Sequence, residues 1–213
     1  MTVWSFPGLA DKPREFVAKA EAVAERLGTD PNYLLTVMQL ESGIDPTVVN
    51  KQGGATGLIQ FMPDTAIRLG TTADALRRMT SLHQLDYVES FYRRYAGNLH
   101  SVGDVYMVTF YPDLAFKAAE TVVARKGQAV YDQNVGLDVD KNGVLTVGDV
   151  TKKAENALYV YSLRGPYTFK PQSDKKTFNG AVKDAVVTNI VAAAIVAAAI
   201  HLLHKAVKKG RRS

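Results

Sequence analysis

The sequence predicts a mainly α fold with a hydrophobic helix near the C-terminus. Three observations lead there. Apolar residues recur at helical spacing through the first hundred positions, no segment alternates well enough to be a central strand, and Ala185 to Leu203 run nineteen residues without a charged side chain. With 213 residues, 46% of them apolar, the chain can bury one proper core and has little room for a second full domain.

Residues 1–12, MTVWSFPGLADK, read as an N-terminal arm; they lack the basic start and long apolar stretch of a secretory signal. PREFVAKAEAVAERLG then reads as an amphipathic helix that stops at Gly28. In DPNYLLTVMQLESG, Asp30 suits an N-cap, Pro31 the first helical position and Gly43 the stop, so the next helix covers Asp30 to Ser42. PDTAIRLG, TADALRRM and SLHQLDYVESFYRRYAG follow as shorter helices separated by glycine or capping residues. Phe91, Tyr92 and Tyr95 share a helix face that reads as core. There is no cysteine, hence no disulfide or thiol chemistry.

Glu41 falls in the last turn of an apolar helix. Burial and the carbonyl end of the helix both disfavour its ionised form, which is what a general acid needs near neutral pH. The loop after it, ESGIDPTVVNKQGGATGLIQF, is dense in glycine; Gly53, Gly54 and Gly57 let a backbone approach a bulky ligand. Gln60 supplies a donor and an acceptor beside the Phe61 ring, a pairing suited to an acetylated sugar. Each feature alone also fits a plainer reading, a helix-end carboxylate and an ordinary turn.

ESG followed by GATGLIQFMP resembles the first two motifs of the lytic transglycosylases, whose catalytic domain is related to goose-type lysozyme. The resemblance continues through PDTAIRLG and LHQLDYVESFYRRYAG and covers about residues 13–165. It implies a lysozyme-like transglycosylase fold in which Glu41 is the only catalytic carboxylate. It further implies that the second motif, Gly57, Leu58, Ile59 and Gln60, lines the glycan groove; Ser42, Asn50 and Phe61 are candidate substrate-binding residues beside it. The family's third motif, usually AYNAG, has no good match; DVYMVTFYP stands in its place and offers Tyr106 as a groove residue or a core one.

GLDVDKNGVLTVGDV carries a second signal. Asp138, Asp140 and Asn142 supply oxygens at positions 1, 3 and 5 of an EF-hand-like loop, Gly143 takes the tight turn, Val144 offers its carbonyl and Asp149 falls at position 12. A short Asp in place of the usual Glu at that last position weakens the site. The expectation is a structural Ca²⁺ over residues 138–149, with no cofactor needed for catalysis. The resemblance supports it, since such loops occur in phage-borne lytic transglycosylases after a stretch like Tyr131 to Asn134.

Residues 166–184 read as a linker, 185–204 as the hydrophobic helix and 205–213 as a basic tail. At about 1.5 Å per residue the apolar run reaches roughly 28 Å, near bilayer thickness. Asn189, His201 and the weak hydrophobicity of alanine argue against a span, and Val187, Val191, Ile195, Ala198 and Leu202 form a stripe that a soluble core would bury. A membrane anchor and a core helix both stand. Lys205, Lys208, Lys209, Arg211 and Arg212 account for the whole net charge of +5, so the body is neutral and no nucleic-acid partner is expected.

These readings combine into an enzyme that cleaves peptidoglycan between N-acetylmuramic acid and N-acetylglucosamine. The family analogy adds a bacteriophage virion component, held by membrane or virion proteins through its C-terminal helix and acting in the bacterial periplasm and wall. A hydrolytic muramidase using Asp45 or Asp64 as second carboxylate is the nearest alternative. A catalytically silent virion structural or wall-binding protein is the other.

Overall fold

The computed structural model describes residues 1–51 and 53–170. The expected helix over 185–204, the basic tail and most of the linker lie outside the described residues. Among the described residues no helix is long and apolar enough to cross a membrane.

The fold is mainly helical. In order come α1 (Arg14–Leu27), α2 (Pro31–Ser42), α3 (Pro63–Arg68), α4 (Ala73–Arg78), α5 (Ser81–Tyr92), α6 (Val102–Phe110), β1 (Val122–Arg125), α7 (Ala129–Asp132), β2 (Val144–Thr146) and α8 (Val147–Ser162). Sequence punctuation sets most of the boundaries. Gly28 and Gly43 end α1 and α2 at φ 69° and 67°, a region that favours residues without a Cβ. Asp30 accepts from the Asn32 N–H at the start of α2, and Thr72 and Thr80 cap α4 and α5 in the same way.

α2 is the buried centre: Leu34, Leu35, Val37 and Met38 are at most 1% exposed, and α1, α6 and α8 pack around it. A helix apolar on most faces belongs inside, which is why its periodicity is shallow while that of the surface helix α1 is clear. Periodicity does not bound α6 and α8, which begin at reciprocal capping boxes, Ser101 with Asp104 and Thr146 with Asp149. β1 and β2 pair antiparallel with a bulge between Val122 and Ala124; β2 is only three residues long, too short for alternation to reveal it.

The N-terminal segment is packed, with Val3, Phe6 and Leu9 in the core. It pairs with the chain after α8: the Ser5 N–H donates to Gly165 O at 3.0 Å and the Tyr167 N–H to Val3 O at 2.8 Å. The Gly8 N–H donates to Gln39 Oε1 at 2.8 Å, and a Cβ on Gly8 would stand 2.1 Å from Gly43 O. Only glycine fits that close an approach, so the segment seats directly against the end of α2 that carries Glu41.

Candidate active site

Glu41 is 2% exposed, and its Oε2 has no hydrogen-bond partner. Burial pushes its pKa up to about 8, and the Lys153 ammonium on α8 pulls against that rise. The carboxyl is therefore mostly protonated at neutral pH. Two tyrosines feel its charge, Tyr92 of α5 and Tyr106 of α6, both buried and both raised chiefly by desolvation. The Tyr92 hydroxyl lies 2.5 Å from Thr109 Oγ1, which in turn donates to Val105 O at 2.9 Å.

Ser42 ties the helix end to the glycine-rich loop. Its Oγ meets Met38 O at 3.1 Å and Leu58 O at 2.9 Å, so the hydroxyl positions the loop through two backbone carbonyls. The loop folds on itself through bridges of Thr56 with Val49 and Phe61. The Asn50 N–H donates to Ala55 O at 2.8 Å, and the Gly54 N–H to Asn50 O at 2.7 Å. Gln60 donates from Nε2 to Gly57 O at 3.0 Å, while its buried Oε1 is unpartnered. Phe61 is 2% exposed and meets Phe91 edge-on at 6.3 Å between centroids.

Two non-glycine residues here hold positive φ, Ile44 at 61° and Gln60 at 52°. For a β-branched residue this is an uncommon conformation, and such strain concentrates where structure serves a site. Gln84 of α5 supplies the restraint. Its Oε1 accepts from the Leu58 N–H at 2.9 Å, and its Nε2 donates to Pro46 O and Leu76 O, each at 2.7 Å. Gly57 has φ 75°, and a Cβ there would meet Gln84 Oε1 at 2.3 Å.

Glu41, Ser42, Asn50, Gly57, Gln60 and Phe61 are thus gathered at one helix end and its loop. Tyr106 lies within electrostatic reach of Glu41 but is fully buried, against Phe110 at 5.9 Å and under Lys153 at 5.8 Å. Its ring belongs to the core cluster. Sequence reasoning does not single out Gln84, Thr109 or Lys153. A glutamine and a lysine inside amphipathic helices carry no local signal of burial; only the packing of α5 and α8 gives them one.

Asp138, Asp140, Asn142, Val144 and Asp149 form a separate group. Asp138 accepts from the Gly143 N–H at 2.9 Å and from the Tyr131 hydroxyl at 2.5 Å, which lowers its pKa and raises that of Tyr131 to about 12. Asp140 accepts from Asn142 Nδ2 at 2.8 Å, and Asn142 Oδ1 from the Val144 N–H at 2.7 Å. Asp149 Oδ2 accepts from the Thr146 N–H and hydroxyl at 2.8 and 2.6 Å, so it caps α8. Lys141 and Gly143 take the left-handed conformations, φ 57° and 81°, that curl the loop. Among the described residues no three His, Cys, Asp or Glu side chains converge as a metal cluster would.

Residues 19–85 match the family model of the transglycosylase SLT domain. The matched stretch takes in Glu41, the glycine-rich loop and Gln84, and it ends before α6 and α8. No curated protein matches the chain.

Proposed function

We propose, from the membership of residues 19–85 in the transglycosylase SLT family, that this chain cleaves peptidoglycan glycan strands with Glu41 as its single catalytic carboxylate. The observation that carries the reading is the enclosed Glu41 carboxyl, whose Oε2 is unpartnered and whose pKa is raised to about 8. A protonated carboxyl at neutral pH can give its proton to the glycosidic oxygen as the bond to the leaving sugar breaks. The resulting carboxylate then takes the proton of the muramic C6 hydroxyl, whose oxygen closes on C1 to form a 1,6-anhydro ring. Water takes no part, so no second carboxylate is required. The charge acting on Glu41 is that of a lysine, not of a second carboxylate, which favours the ring-closing reaction over hydrolysis.

The 138–149 loop, in this reading, holds a structural Ca²⁺. Its side-chain oxygens from Asp138, Asp140 and Asn142 already sit on one tight turn, and an all-oxygen set suits a hard cation. Asp149 has its Oδ2 committed to the cap. The ion would pin the turn between α7 and α8 and take no part in bond cleavage. A virion-borne enzyme held at a membrane through residues 185–204 completes the reading, supported by the sequence alone.

Mass spectrometry of digested peptidoglycan tests the reaction. Anhydro-muramic ends are expected; reducing muramic ends would assign hydrolysis instead, and no released fragments with intact protein would assign a binding role.

A further inference from the structure

We propose that Lys153 of α8 is a positioning residue for Glu41, its ammonium supplying the field that lets one enclosed carboxylate work in both protonation states. The inference rests on the role proposed for Glu41. A carboxyl that acts first as acid and then as base must ionise within each turnover, and an apolar enclosure strongly opposes that step. An opposite charge close by offsets the penalty: the ionised carboxyl and the ammonium each favour the charged form of the other.

The fold puts such a charge in place. The start of α8 is fixed by the reciprocal cap of Thr146 and Asp149, and the helix packs on both α2 and α6. Val150 and Ala154, neighbours of position 153 on the helix, are fully buried. The half-buried Lys153 brings its Nζ to 5.8 Å from the centre of the buried Tyr106 ring. Tyr106 is itself within the field of Glu41. Among the described residues the titratable groups coupled to Glu41 are one from each of three helices: Tyr92 of α5, Tyr106 of α6 and Lys153 of α8. Both tyrosines are neutral in the working range, so the cation is the group that favours the ionised carboxyl; among the described residues of α1, none acts on it. The coupling runs both ways, since Glu41 raises Lys153 against the lowering that burial imposes.

The decisive experiment is an NMR titration of the Glu41 side-chain carboxyl carbon in the full chain, assigned by its loss in Glu41→Gln. In Lys153→Met the midpoint moves up by roughly half a pH unit or more, while Lys153→Arg keeps it near the wild-type position. An unchanged midpoint in Lys153→Met, or equal shifts in both variants, would overturn the proposal. Should Lys153→Met fail to fold, the Lys153 side chain is titrated in wild type and in Glu41→Gln. Its pKa falls in the variant if the two groups are coupled, and an unchanged value overturns the inference. The alkaline limb of lytic activity moves up with the Glu41 midpoint in Lys153→Met. A chain that releases no fragments at any pH would remove the enzymatic reading, while the titration would still decide the coupling.

Discussion

The two tight loops of this molecule solve the same backbone problem and leave their polar atoms in opposite conditions. Between Gly43 and Phe61, as between Asp138 and Asp149, the chain turns on left-handed residues beside a helix end. In the second loop the side-chain oxygens are taken up locally: Asp138, Asp140, Asn142 and Asp149 each accept from backbone N–H groups within the loop or its helix cap. At the first, Glu41 Oε2 and Gln60 Oε1 are buried with nothing to accept from. An unpartnered buried oxygen costs roughly 1–3 kcal/mol, and native structures rarely keep two at one site without use for them. Self-satisfied carboxylates make a turn that folds on its own. The Glu41 carboxyl oxygen and the Gln60 amide oxygen are left to meet a partner from outside the chain.

The largest effect that could break this contrast is that of Glu41→Gln. The amide nearly matches the carboxyl in shape but has no proton to give, so lytic activity falls by about 10²–10⁴ or more. Stability goes the other way. Because the folded pKa, about 8, lies above the ordinary 4.5, the wild type keeps its full stability below the unfolded pKa and loses some as pH rises through the folded one. The variant escapes that loss and, measured by denaturant unfolding near pH 9, should exceed wild type by on the order of a few kcal/mol. Near wild-type lysis, or a variant no more stable than wild type near pH 9, would sink the assignment of Glu41.

Gln84→Ala comes next. Truncation leaves the Leu58 N–H and the Pro46 carbonyl without partners, takes one of two donors from the Leu76 carbonyl, which keeps the Met79 N–H at 2.9 Å, and opens a void. The expected destabilisation is roughly 3–5 kcal/mol, most of it from groups left without partners. Urea unfolding at neutral pH reads it directly. A loss under about 1 kcal/mol would mean that water replaces the amide and that the strained loop does not depend on α5.

What the sequence reveals follows from how local each device is. Asp30, Gly28 and Gly43 act within a turn or two of their own position, so the ends of α1 and α2 can be read directly. The placement of Glu41 at the end of an apolar helix and the curl of the 138–149 loop are local in the same sense. Gln84 and Lys153 become important only through helices brought together by packing, and no short window contains that information. Tyr106 shows the limit most plainly. A tyrosine in the place of a missing motif fits groove and core equally in the sequence, and the tight contact of α6 with α8 is what closes over it.

Calcium sharpens the contrast from the other side. A loop that folds unaided should melt cooperatively in chelator and gain only what binding adds, RT ln(1 + [L]/Kd). At calcium one hundred times the dissociation constant that is about 2.7 kcal/mol, seen by calorimetry as a rise of several degrees in Tm. Asp138→Ala removes the gain, and it also lowers the melting temperature in chelator because the Gly143 N–H and Tyr131 hydroxyl lose their acceptor. Identical curves for the wild type with calcium and with chelator would make the loop a plain turn.

The smallest predicted difference separates the two duties of Asp149. Its Oδ2 accepts from the Thr146 N–H and hydroxyl, while the Asp149 N–H donates to the Thr146 hydroxyl at 3.2 Å. Thr146→Ala breaks the side-chain half of this exchange and leaves the carboxylate in place, so the expected loss is about 1 kcal/mol, the usual worth of an N-cap, with calcium and without it. Asp149→Ala breaks the other half of the same box and costs about as much in chelator. If the carboxylate also turns toward a bound ion, its loss grows when calcium is present, because the variant forgoes part of the binding energy as well. A double comparison by thermal melting decides it. Equal losses for both variants at both calcium levels confine Asp149 to the helix cap. An extra calcium-dependent loss only in Asp149→Ala makes one carboxylate the link between the turn and the helix that carries Lys153.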